Sequence, residues 1–237
     1  MELAHPSIAQ AVADFDHFRE NPARRVQLTA RAFRDVIHGS EVEAAAVGRQ
    51  LNGVHARVRG AGYAASDPEL LLWVHATFID SLLCVGERLY GPLSSDDLAA
   101  YYRDAVVVGE VFGSPSADQP VTVDAFRKYV AEVTAAVNVS DVGRDLARAV
   151  FWPAVPANRA AVISLYRVAS FGTLPPRLRE QFGYAWGPPQ RRWFARGHVL
   201  APFVARVTDR AFFAVADGNG RGVSTALALA GIRSSDH

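Results

Sequence analysis

Three groups of residues in this chain have the types and spacing to do chemistry. His55 stands on an apolar stripe with Leu51, Val54 and Val58, and Arg59 follows it by four residues. In a helix that spacing puts the imidazole and the guanidinium on one side. An imidazole so placed can ligate a metal or a haem iron, and an arginine one turn on can neutralise a propionate or hold the ring. The plainer alternative is a hydrogen-bonded core histidine beside a surface arginine, and the pair taken alone favours it. Arg25 and Thr29 repeat the spacing and offer a guanidinium and a hydroxyl for oxygen or an anion. Taken alone they read as a salt-bridged helix arginine and a threonine bonded to its own backbone. His75, Thr77 and Asp80 interrupt an otherwise apolar run, where polar groups are costly unless partnered. His75 and Asp80 are five residues apart and do not face each other well, so a structural network and a site role stay equally open. His5, before Pro6, is a ligand or an N-cap, with the cap favoured.

Other chemistries lack a local signature. No His-x-x-x-His pair occurs, and no Gly-x-Ser-x-Gly elbow. The run Gly218-Asn219-Gly220-Arg221-Gly222 resembles a phosphate loop only in glycine content. One cysteine, Cys84, excludes an internal disulfide and cysteine-rich zinc sites, and its apolar setting predicts a small core residue. The net charge of +1 gives no electrostatic case for nucleic acid as a partner. Basic residues are nearly all arginine, Lys128 being the only lysine.

The elements that must position these residues are helices. With 237 residues, half of them hydrophobic, the chain can bury a full core. Helical periodicity and caps predict helices at about 6–18, 22–38, 40–59, 68–90, 94–112, 123–137, 141–150, 157–171, 176–182 and 188–207. Ser40 with Glu43 makes a capping-box pattern, and Asp67-Pro68 caps the most apolar helix. Strand alternation is absent over any useful length. The expected fold is all-α, a single helical domain of about ten helices over 1–215 around a buried central helix at about 68–90. The Pro-, Ser- and Gly-rich loop 113–121 is the best candidate for a boundary between lobes, and 216–237 reads as a poorly ordered tail. The amino terminus lacks a signal-peptide pattern, and His75, Asp80 and Ser81 interrupt the run from Leu70 to Val85. A cytoplasmic protein without a transmembrane segment is therefore expected.

Taken in order, the motifs resemble a known family. They are Leu3-Ala4-His5-Pro6, Ala13-Asp14-Phe15-Asp16-His17-Phe18, Arg25-x-x-x-Thr29, Val54-His55-Ala56-Arg57-Val58-Arg59-Gly60, and Asp67-Pro68-Glu69-Leu70-Leu71-Leu72-Trp73-Val74-His75-Ala76-Thr77. This order is similar to that of the MpaB-like and rubber oxygenase (latex clearing protein) family. The likeness is strong over 3–113 and weaker through Leu174 to Tyr184. Members usually carry a helical segment ahead of Leu-Ala-His-Pro, whereas this chain starts almost on it.

The resemblance implies an all-helical oxygenase that holds haem b and uses dioxygen. It implies His55 as the iron ligand and Arg59 as the arginine one turn later. Arg25 and Thr29 match the pair on the opposite, oxygen-binding face. Leu28 stands where rubber oxygenases place a lysine, so a lysine-capped resting iron is not expected. His75 belongs to the MpaB-like branch and joins His55 and Arg59 as a cofactor-binding candidate. Phe33, Leu51, Trp73 and Phe78 would wall a pocket for a hydrophobic small molecule, isoprenoid-like in class. The competing function is a helical protein that binds a lipid or terpenoid without iron and without catalysis. Neither reading fixes an oligomeric state.

Overall fold

The computed structural model describes residues 1–15, 22–154 and 157–196. The expected tail 216–237 lies outside the described residues, as does the expected helix beyond 196. After a short 3-10 turn at Glu2–Ala4 come α1 (Pro6–Phe15), α2 (Pro22–His38) and α3 (Glu41–His55). A hairpin of β1 (Arg59–Gly60) and β2 (Tyr63–Ala64) leads into α4 (Pro68–Tyr90) and α5 (Ser95–Val111). Then follow α6 (Val123–Ala136), α7 (Asp141–Phe151), α8 (Ala157–Thr173) and α9 (Pro176–Gln181), and residues 188–196 are again helical. The fold is all-α, and among the described residues strand is confined to the hairpin.

Helix starts follow local chemistry. Ser40 and Glu43 close a reciprocal capping box on α3, the Ser40 N–H donating to Glu43 Oε2 at 2.7 Å. Asp67 accepts from the Glu69 N–H at 2.9 Å, with Pro68 as the first residue of α4. Ser94, Thr122 and Ser140 cap α5, α6 and α7 in the same way. The carbonyl of His5 takes the first α1 bond, from the Ala9 N–H, so His5 holds the cap position by its backbone.

The core is organised around α4, which is buried on two sides. Trp73 and Leu70 pack with Ile8, Ala9 and Val12 of α1, Tyr63 of the hairpin and Leu146 of α7. Ala76, Ile79 and Leu83 pack with Tyr102 of α5 and with Phe126 and Val130 of α6. By length and composition α4 could cross a membrane, and 39% of its most apolar window is buried inside the protein. Thr77, buried in the same helix, donates its hydroxyl to the Val74 carbonyl at 2.8 Å, which meets its polar need locally.

Three sequence expectations change. The third helix ends at His55 and not near Arg59, because Gly60 to Gly62 build a hairpin turn, with Gly62 at φ +82°. The buried Tyr63 then fastens that hairpin to α1, its hydroxyl donating to Asp14 Oδ2 at 2.6 Å. The 113–121 loop is no boundary. Its buried Gln119 donates back to the Ser114 and Val106 carbonyls, and one core cluster joins α4 and α5 to α6 across it. Cys84 is half-buried at a cleft wall and not a core filler.

The segment from Leu174 to Tyr184, where the motif likeness weakens, is structural. Arg177 donates to the Thr134 and Val137 carbonyls at 3.0 and 2.6 Å and to Asn138 Oδ1 at 2.9 Å, closing the open end of α6. Arg179 donates to the Leu174 carbonyl and lies over the Trp186 ring. Gln181 accepts from the Val139 N–H at 2.8 Å.

Candidate functional site

Helical geometry divides α4 into opposed faces. Leu71, His75 and Phe78 recur at intervals of four and three and share one face. Asp80, Leu83, Cys84 and Glu87 share the other, where with Arg88 and Phe126 they line a cleft of about 630 Å³. Among the described residues, none of Thr29, His55, Arg59 and His75 lines that cleft. The separation of His75 from Asp80 is thus observed: one faces α5, the other the cleft. Burial raises the Asp80 carboxyl above its ordinary range, the Met1 amino group opposes this and Glu87 adds to it.

On the first face, four helices converge. Phe33 of α2 packs its ring against Phe78 of α4 and against Phe112 at the end of α5, with centroids 4.5 and 4.8 Å apart. Arg25, Thr29 and Phe33 recur every four residues along α2, so Thr29 is one turn from this contact on the same side. Thr29 is half-buried. The Arg25 side chain lies outside the described residues, and its helix is in place.

His55 reaches the same region from α3. Gly48, Asn52 and His55 recur at intervals of four and three and share a face. A Cβ on Gly48 would lie 2.7 Å from the Val111 carbonyl oxygen, so α3 meets α5 there with no room for a methyl. At Gly113 (φ +91°) a Cβ would meet Asn52 Oδ1 at 2.6 Å and Leu71 Cδ1 at 3.5 Å. That face of α3 therefore looks onto the end of α5 and the start of α4, beside Phe112. His55 is half-buried with Nδ1 shielded from solvent. Arg59 does not accompany it one turn on. It is exposed on β1 and donates to the Ala56 carbonyl at 2.8 Å.

His75 is almost wholly buried, at 4% exposure. Its Nε2 lies 2.9 Å from the Ala105 carbonyl of α5. A carbonyl only accepts, so Nε2 carries the hydrogen and Nδ1 is the bare nitrogen. Burial holds the imidazole below its ordinary pKa, and the Ala105 bond opposes this. The two effects leave a neutral ring. Trp73 departs from the expected pocket wall, since it points away from Phe33 into the α1 and α7 cluster.

Sequence reasoning passed over Gly48, Gly109, Asn52 and Gln119. The two glycines sit inside strong helical patterns, where an isolated glycine costs about 1 kcal/mol against alanine and so hints at close packing. Asn52 and Gln119 carry no such signal: Asn52 lies beside Gly113, far along the chain, and Gln119 bonds backbone carbonyls at 106 and 114 that no side-chain pattern marks.

The described residues do not build a metal cage from protein ligands alone. Among the described residues no group of three or more His, Cys, Asp or Glu is placed to hold a metal ion. A haem would ask the protein for one histidine, and His55, half-buried at the end of α3 with Nδ1 shielded from solvent, is a residue that could supply it.

The catalytic-domain family described as ER-bound oxygenase mpaB/B'/Rubber oxygenase matches residues 1–206. Among curated proteins, the uncharacterized protein Mb2261 of Mycobacterium bovis is 27% identical over 209 residues, covering 82% of this chain and 80% of the relative. The uncharacterized protein Rv2237 of Mycobacterium tuberculosis is similar to the same extent. No solved structure matches the chain.

Proposed function

This chain belongs to the mpaB and rubber oxygenase catalytic-domain family, and on that premise we propose that it is a haem b-dependent oxygenase. Its substrates are dioxygen and a hydrophobic small molecule, isoprenoid-like in class. The observation that supports the reading is the packing of Phe33 of α2 on Phe78 of α4 and Phe112 after α5, one turn along α2 from Thr29, with α3, which ends at His55, seated on the same end of α5 through Gly48.

In this reading His55 would hold the haem iron through a ring nitrogen, with the other ring nitrogen needing support from the protein. Bound haem b supplies the electron and dioxygen chemistry that no side chain provides. Thr29 contributes a hydroxyl donor and Arg25 a guanidinium, both suited to negative charge that develops on reduced oxygen. Phe33, Phe78 and Phe112 exclude water and seat an apolar substrate beside them. Arg59 would serve a propionate from the hairpin, releasing the Ala56 carbonyl to do so.

Iron analysis and an absorption spectrum of freshly purified protein, grown with haem supply, test the proposal. The expected result is one iron per chain and a Soret band that His55→Ala removes. Colourless, iron-free protein that gains thermal stability from apolar ligands would establish the non-catalytic lipid binder instead. A His55→Ala protein that keeps its full haem content would overturn the ligand assignment.

A further inference from the structure

His75 sits in the most distinctive motif of the chain, and the proposed chemistry leaves its role open. Its ring is wedged between α4 and α5. A Cβ on Gly109 would lie 2.6 Å from His75 Nε2 and 2.6 Å from Gln119 Nε2, so the missing side chain at 109 is the space both groups occupy. From there His75 donates to the Ala105 carbonyl at 2.9 Å, and Gln119 donates to the next carbonyl, Val106, at 3.0 Å. Gln119 also donates to the Ser114 carbonyl at 2.8 Å, while the Ser114 N–H donates to the Gly109 carbonyl at 2.9 Å. The carboxyl-terminal turn of α5 is thus held from α4 by His75 and from the following loop by Gln119. That same turn carries Val111 and Gly113, against which Gly48 and Asn52 of α3 are seated.

We infer that His75 is a positioning residue: through Gly109 it docks α5 on α4, and through Val111 and Gly113 it sets the face of α3 that bears His55. It does not touch cofactor or substrate. Nε2 is committed to Ala105, the space beside it will not admit a methyl, and Nδ1 is shielded from solvent. The donated ring N–H resembles the support given to metal-ligating histidines, so a direct iron contact through Nδ1 is the rival that the test must separate.

The discriminating variants are H75Q, H75L and G109A in the full chain, read by haem titration, by the ligand-sensitive absorption and electron paramagnetic resonance spectra, and by hydrogen exchange of the haem-free protein. Glutamine can donate from nearly the same place as Nε2 but is a poor iron ligand. H75Q should keep both the spectrum and the affinity. H75L and G109A should each weaken haem binding on the order of tenfold without changing the spectrum, and the double variant should be no worse than either alone. An H75Q spectrum that collapses as His55→Ala does, and returns with added imidazole, would make His75 an iron ligand and overturn the inference.

The affinity arm rests on the haem reading given above, and the exchange arm does not. In haem-free protein, H75L should speed exchange at residues 109–114 and H75Q should not. If wild-type protein takes up no haem, the proposed function fails while the exchange result still decides the role of His75. Unchanged exchange in H75L would end the inference whether or not haem binds.

Discussion

Nε2 of His75 and the carbonyl oxygen of Ala105 are 2.9 Å apart in the interior, and this contact places a ring hydrogen on Nε2, toward α5. Burial, the larger influence, holds the imidazole below its usual value of 6.5. Below that pH the unfolded chain takes up a proton that the folded chain refuses, so ΔG of unfolding falls as pH drops from 6.5 toward the lowered folded value. Above 6.5 the contribution is fully present. His5 acts in the same direction, lowered by burial against the opposing charges of Asp67 and Glu69. Thermal midpoints at pH 7.5, 6.5 and 5.5 should decline, and H75Q should decline less steeply. Equal slopes in the two proteins would assign the acid sensitivity to other groups.

Gly48→Ala should destabilise the protein although it improves helix propensity. Propensity returns about 1 kcal/mol. Against it, the new methyl would meet the Val111 carbonyl oxygen at 2.7 Å, a backbone atom that moves only if α5 moves. Overpacking of this kind costs about 1–3 kcal/mol. A net loss of about 1 kcal/mol by urea denaturation is expected. A stabilised variant would mean that the two helices separate easily.

Removing the Arg177 side chain should expose the end of α6. Its guanidinium satisfies the Thr134 and Val137 carbonyls and Asn138 Oδ1 together. Charged hydrogen bonds of this type contribute about 1.5–3 kcal/mol each when buried, and these are only partly buried. Arg177→Ala should therefore lose about 2 kcal/mol in all by urea denaturation. A variant as stable as wild type would show that water replaces the cap at no cost.

Tyr63→Phe isolates the tie between the hairpin and α1. Burial, the Asp14 hydrogen bond and the Asp14 charge push the Tyr63 hydroxyl up to about 12. The phenylalanine variant keeps the packed ring and loses the bond to a carboxylate that is itself exposed, so a cost of about 1 kcal/mol is expected. The denaturation midpoint should fall with an unchanged m-value. A change in m would point instead to a hairpin that no longer packs on α1.

Much of this protein was legible in the sequence because its determinants are local. Ser40 with Glu43, Asp67 with Pro68, and Ser94 announce helix starts within three residues of themselves, and apolar spacing gives the helices between them. The motif order from Leu3 to Thr77 carried the family. The exact end of α3 escaped, because the hairpin is fixed by Tyr63 reaching Asp14, 49 residues away in sequence. Only tertiary structure decided which faces meet. Periodicity places His55, His75 and Trp73 equally on apolar stripes, since hydrophobic burial has no direction of its own. Close approach at Gly48 and Gly109 seats α3 on the end of α5 and locks His75 against α5, while α1 and α7 claim Trp73 for the opposite side. Those choices rest on missing methyl groups and on carbonyls 30 residues distant, which no window along the chain contains.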